Sequence, residues 1–113
     1  MKLKLFTCLA LAMPIQALAA FNCEVDVSKV LIYKDGNVNV VHSGRNDFTV
    51  ICNLKTERQG VSITTCAMWA SMLQNLQNND VRAIFYYGEA GTCATLPTYN
   101  STPAPIYIGT VKK

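Results

Sequence analysis

Residues 48–76, FTVICNLKTERQGVSITTCAMWASMLQNL, change from the pattern of a β-strand to that of an α-helix. The first seven residues are rich in β-branched and aromatic side chains, which favour a strand. A polar turn containing Gly60 follows, and Thr65 is a suitable helix N-cap. Beyond it, apolar residues recur at helical spacing, namely Cys66, Trp69, Met72, Leu73 and Leu76. We therefore predict a strand followed by one amphipathic helix, with Trp69 as its large core residue.

Four further β-rich runs flank this stretch, at residues 25–33, 38–41, 81–87 and 106–111. The first two are joined by Asp35-Gly36, a dipeptide that favours a hairpin turn. The last two are separated by a long loop from Gly88 to Pro105, which contains three prolines. The predicted order is therefore β-β-β-α-β-β in a single mainly β domain.

This order is that of the OB-fold, a five-stranded antiparallel Greek-key barrel. In such a barrel, a helix between the third and fourth strands closes one end. The same pattern also permits an open antiparallel sheet with one helix packed on it. We expect the OB-like barrel and keep the open sheet as the alternative.

The N-terminal segment has the three parts of an export signal. Lys2 and Lys4 form its charged region, an apolar stretch runs from Leu5 to Ile15, and Ala17-Leu18-Ala19 is a small-residue cleavage site. We place the cleavage after Ala19, with cleavage after Ala20 as the alternative. Residues 1–19 are then a signal peptide, and residues 20–113 are one domain of a secreted or periplasmic bacterial protein.

Neither a membrane span nor a nucleic-acid interface is expected. Pro14 and Gln16 interrupt the apolar stretch well short of the roughly 20 residues that a membrane helix needs. Because two of the ten basic residues lie in the predicted signal, the domain has eight basic and seven acidic residues, a net charge of +1. Such a near balance lacks the basic surface typical of nucleic-acid binding.

Four cysteines follow the predicted signal, and four cysteines allow three disulfide pairings. The turn between Cys52 and Cys66 favours pairing those two, which leaves Cys23 to pair with Cys93. The two closures contribute about 3 and about 4 kcal/mol in the chain-entropy model. Zinc sites usually contain close ligand pairs, and this chain has no C-x-x-C and one histidine, so we expect no metal and no cofactor.

Several stretches resemble one toxin family. They are Val27–Ile32, His42-Ser43-Gly44, the Cys52 and Cys66 pair, Trp69, and Val81-Arg82 followed by Ile84 and Tyr86-Tyr87. Together they resemble the B subunits of the subtilase-cytotoxin and pertussis-like toxins, over about residues 25–90. The ending, from Cys93 to Tyr107, looks more like small uncharacterised exported proteins of proteobacteria.

This resemblance implies an exported OB-fold protein that forms a homo-pentamer, binds sialylated or related host glycans and carries an enzymatic toxin subunit. By position, Ser28 matches a serine that the family uses for the glycan. Asp26 lies two residues upstream, and Tyr86 or Tyr87 offers an aromatic face. We therefore expect a glycan site formed by Asp26, Ser28, Tyr86 and Tyr87.

Catalysis is not expected from this sequence. His42 is the natural base and Ser43 lies beside it, but adjacent turn residues rarely face each other, so His42 is interpreted as a surface turn residue. The carboxylates are scattered through turns and strand ends. We expect a non-catalytic binding protein. The alternative is a periplasmic or secreted protein-interaction module, such as an inhibitor or assembly factor, that uses the loop from Gly91 to Pro105, which its prolines order in advance.

Overall fold

The computed structural model describes residues 19–76 and 80–113. Apart from Ala19, the predicted signal peptide lies outside these residues. Within them the chain forms β1 (Phe21–Val25), β2 (Val27–Ile32), β3 (Asn37–His42), β4 (Phe48–Asn53), α1 (Ile63–Leu76), β5 (Val81–Tyr87) and β6 (Tyr107–Lys112). A short 3-10 turn, Cys93–Thr95, lies in the loop before β6. The prediction of a mainly β chain with one helix is confirmed.

The described strands form two open three-stranded antiparallel sheets and not one closed barrel. Sheet A has the order β1-β5-β6, and sheet B has the order β2-β3-β4. The first predicted strand, residues 25–33, corresponds to β2; β1 is a further strand that was not predicted, is separated from β2 by Asp26 and belongs to the other sheet. The Ser43 hydroxyl accepts a hydrogen bond from the Asp26 N–H (3.0 Å), and the Ser43 N–H donates to the Asp26 carbonyl (2.9 Å). These two bonds fix the chain where it passes between the sheets.

The free edge of β4 is covered by the proline-containing loop, not by β6. The Tyr99 N–H donates to the Phe48 carbonyl (2.8 Å), and the Val50 N–H donates to the Tyr99 carbonyl (3.4 Å). The Arg58 guanidinium holds the same loop by donating to the Thr102 carbonyl (2.8 Å). Because this loop occupies the edge of β4, the last strand pairs only with β5 among the described residues.

The hairpin between β2 and β3 turns where the sequence predicts, at Asp35-Gly36. Gly36 has a φ of 94°, and a Cβ on it would lie 2.6 Å from the Asn53 Oδ1. Asn53 stabilises the turn because its Nδ2 donates to the Asp35 carbonyl (3.2 Å) and to the Asn37 Oδ1 (2.9 Å). Glycine is needed here because the backbone is left-handed and the space is closed.

The helix α1 packs against β2, β4 and β5 through one apolar face. Four of its residues are buried, namely Cys66, Trp69, Ala70 and Leu73, and two predicted face residues, Met72 and Leu76, are half-buried. The prediction that Thr65 is the N-cap of the helix is wrong. The helix begins two residues earlier, at Ile63, and the Ser62 hydroxyl accepts the Thr65 N–H (3.1 Å) as the cap.

Both predicted disulfides are present in the structure. Cys52–Cys66 joins β4 to α1, and Cys23–Cys93 joins β1 to the loop after β5. Two disulfides in so short a chain indicate an oxidising environment. No helix within residues 19–76 and 80–113 is long and apolar enough to cross a membrane.

The substitution Trp69→Ala tests the packing of α1. Trp69 is 8% exposed, so we expect truncation of its side chain to lower the free energy of unfolding by about 3 to 5 kcal/mol. The adjacent Met68 is 69% exposed, and Met68→Ala should change the free energy of unfolding by no more than about 0.5 kcal/mol. Urea unfolding with the disulfides intact measures both, and equal losses would show that α1 packs through another face.

Candidate binding face on the β1–β5–β6 sheet

Sheet A has one face in the core and one face toward solvent. Along β5, Ala83, Phe85 and Tyr87 are buried, whereas Arg82, Ile84 and Tyr86 alternate with them and are partly exposed. The strand register places outward residues of β1 and β6 beside those of β5. We call this solvent side the outer face; its residues are Asn22, Glu24, Asp26, Arg82, Ile84, Tyr86, Tyr107, Gly109 and Val111.

One end of the outer face carries two stacked tyrosines, Tyr86 and Tyr107, which we call the tyrosine platform. Their ring centroids lie 4.9 Å apart and their planes differ by 9°. The Tyr107 hydroxyl donates to the Asn22 Oδ1 (3.3 Å), and Tyr107 remains 44% exposed. Ile106, directly before β6, is 61% exposed. The platform therefore offers a flat aromatic surface with polar atoms at its rim.

The other end of the outer face is charged. The Asp26 carboxylate lies 3.4 Å from the Arg82 guanidinium and 3.4 Å from the Lys113 ammonium. The hydrogen bond from Arg82, together with that from Lys113, lowers the pKa of Asp26 below its ordinary value of 3.8. Glu24 and Lys112 complete the lining of an open depression of about 360 Å³. This end can therefore meet a polar or charged ligand group with either sign of charge.

Both ends of the outer face include a residue of β5, and the surface between them has few large side chains. Arg82 and Tyr86 are four residues apart on β5, which corresponds to about 13 Å. Between them, Ile84 stands beside Gly109, which carries no side chain. A ligand that lies along β5 could therefore touch the platform and the charged end at once.

Two of the four residues predicted for the glycan site, Asp26 and Tyr86, lie on the outer face, but at its opposite ends and not in contact. Ser28 lies on β2 of sheet B, at a β-bulge beyond Asp26, where it is exposed and its hydroxyl donates to the Val41 carbonyl (3.1 Å).

Tyr87 is fully buried and offers no surface to a ligand. Its ring stacks on Phe21 with centroids 5.2 Å apart, and burial raises the pKa of its hydroxyl. Tyr107 and Asn22 take its place at the surface. The sequence shows only that Tyr107 alternates with Ile108 along the last strand; the registers of β1 and β6 on β5 are what place both residues beside Tyr86.

His42 is buried, so its interpretation as a surface turn residue is wrong. It ends β3, its ring lies 5.0 Å from that of Phe85, and its Nδ1 accepts the Gly44 N–H (3.1 Å). Ser43 does not pair with it, because the Ser43 hydroxyl accepts the Asp26 N–H. Burial lowers the pKa of His42 from 6.5 to about 4. The imidazole is therefore neutral at physiological pH and serves as a core residue of the turn.

This pKa predicts a loss of stability in mild acid. Because the pKa of His42 is lower in the folded chain than in the unfolded chain, the unfolded chain binds more protons in mild acid. The contribution of His42 to the free energy of unfolding is therefore complete above pH 6.5 and decreases as the pH falls toward 4. Between pH 7 and pH 4.5 we expect a loss of about 2 to 3 kcal/mol in urea unfolding. His42 is the only histidine, so NMR titration reports its pKa without ambiguity. A value near 6.5 would show that the ring is solvated.

Comparisons of the chain with protein-family models, with curated proteins and with solved structures each found no match. What supports a function is therefore the arrangement of this chain's own side chains.

Proposed function

We propose that the chain is an exported, non-catalytic binding protein that recognises a glycan along the outer face of sheet A. The observation that carries this proposal is the tyrosine platform. A flat, exposed aromatic surface can pack against the apolar face of a sugar ring, while its polar rim meets the hydroxyl groups. Tyr107 is 44% exposed and its ring stacks on that of its cross-strand neighbour Tyr86, so the pair is ordered before a ligand binds.

Polar groups that suit sugar hydroxyls line the rest of the path. Asn22 engages its Oδ1 with Tyr107, and no hydrogen bond of its Nδ2 to the described residues is found, so an amide donor is left for a ligand. Glu24 makes no ion pair within the described part of the chain and offers an acceptor. At the far end, Asp26 and Arg82 supply a carboxylate and a guanidinium 3.4 Å apart. Ser28 extends the proposed site beyond Asp26, as the toxin resemblance implies.

The OB-type interpretation of the fold is part of the same proposal. β1 and β2 are separated by one residue, as expected for a single strand that bends and takes part in two sheets. A parallel bridge between Thr49 and Tyr99 lies on the edge of β4 at which a barrel would close. These features support a relationship to the toxin B subunits, and with it a homo-pentamer that accompanies an enzymatic subunit.

A glycan array tests the proposed function, with Tyr107→Ala as the variant of choice. Loss of the exposed ring should weaken binding by about tenfold, because a stacked aromatic contact contributes on the order of 1 kcal/mol beyond the buried area. Tyr33→Ala is the matched control, since Tyr33 is similarly exposed (40%) but lies just beyond β2, at the end of sheet B. No glycan binding by the wild-type protein, or equal losses in the two variants, would contradict the proposal.

Ser28→Ala tests the extension of the site beyond Asp26. We expect weaker glycan binding with an almost unchanged melting temperature, because the Ser28 hydroxyl is exposed and its hydrogen bond to the Val41 carbonyl is at the surface. If Ser28→Ala binds the same glycan as tightly as the wild-type protein, the site does not extend beyond Asp26.

A further inference from the structure

A second cavity, of about 240 Å³, lies between Phe21, the first residue of β1, and the loop before β6. Four of its nine lining residues have large apolar side chains, namely Phe21, Leu96, Pro97 and Pro103. Thr92, Thr95 and the exposed Glu89 also line it. At this volume the cavity is smaller than the roughly 300 to 1,000 Å³ of pockets for drug-sized molecules. It therefore suits one side chain.

The walls of this cavity are held in place before any ligand arrives. The Cys23–Cys93 disulfide fixes the loop to β1, and the Arg45 Nε donates to the Leu96 carbonyl (2.7 Å). The Thr102 hydroxyl donates to the Pro97 carbonyl (2.8 Å), and Phe21 is stacked on the buried Tyr87. Because these groups are already ordered, little of the free energy of binding is spent on ordering them.

Glu89 gives the cavity its chemical preference. It is the one charged residue of the lining, it is exposed, and it makes no ion pair or hydrogen bond with another described residue. A wholly apolar side chain would shield the carboxylate from water without pairing it. A sugar would meet few free donors, because the Thr92 and Thr95 hydroxyls already bond to each other (2.8 Å).

We propose that this cavity receives a lysine or arginine side chain of a partner protein. The aliphatic stem of such a side chain packs along Phe21, Leu96 and Pro97, and its cationic head pairs with the Glu89 carboxylate, as long basic side chains do at the edges of apolar surfaces. The site is distinct from the glycan face and does not depend on it, because its residues come from the start of β1 and from the loop.

The experiment titrates the exported protein, ¹⁵N-labelled and with both disulfides formed, with the blocked tripeptide acetyl-Gly-Arg-Gly-amide. We expect saturable shifts of the Phe21, Thr92 and Leu96 amides. Glu89→Gln should weaken binding by a factor of about two to five, the range of an exposed ion pair. Glu57→Gln, which removes an exposed carboxylate outside this cavity, should leave the affinity unchanged.

Two further probes are measured on the same sample. Acetyl-Gly-norleucine-Gly-amide has a stem of similar length without the charge, and methyl galactoside is a small sugar. Weaker binding of both than of the arginine peptide supports the proposal. The proposal is overturned if norleucine binds as tightly as arginine, if galactoside alone shifts these amides, if Glu89→Gln binds like wild type, or if the arginine peptide causes no saturable shift.

Discussion

The Cys23–Cys93 disulfide is the constraint on which both candidate surfaces depend. Cys23 is buried in β1, a strand that pairs with β5 on one side only in the described part of the chain. Cys93 lies 70 residues further on, in the loop that leads to β6. The bond fixes the loop to the inner side of the strand and closes a long segment. In the chain-entropy model this closure adds about 4 kcal/mol to the free energy of unfolding. One side of β1 then carries the outer face, and its first residue forms a wall of the smaller cavity.

The outer face follows from the alternation of side chains in a sheet with one solvated side. Core positions of β5 take up Phe85 and Tyr87, so their neighbours along the strand must point outward. The register then stacks Tyr107 on Tyr86 and places Arg82 near Asp26. An aromatic end and a charged end on one face suit an elongated ligand with both apolar and polar surfaces, and this is the basis of the glycan proposal.

The features that the sequence predicts well are local in origin. The Asp35-Gly36 turn needs only the freedom of one glycine, and the face of α1 needs only helical spacing. The disulfide pairing follows from one turn between Cys52 and Cys66 and from elimination. In each of these cases the deciding interactions lie within some fifteen residues, so the local sequence pattern is enough to predict the feature.

The features that the sequence does not predict depend on contacts between distant segments. The passage of the chain from β1 to β2 at Asp26 depends on Ser43, and β6 is absent from sheet B because the Tyr99 backbone bonds to the edge of β4. His42 is followed by turn residues yet lies against Phe85 in the core. The site changes for the same reason, because only the pairing of β5 with β6 shows that Tyr107 accompanies Tyr86 while Tyr87 is lost to the interior.

The most direct measurement is an NMR titration of the ¹⁵N-labelled protein with a glycan that binds it on the array, in which the chemical-shift changes are mapped residue by residue. A glycan on the outer face predicts the largest changes at Asn22, Tyr86 and Tyr107, with smaller ones toward Arg82 and Ser28, and none at Ile32, at the far end of β2. Changes centred on Ile32 and its cross-strand neighbour Val38, with Tyr107 unmoved, would contradict the account.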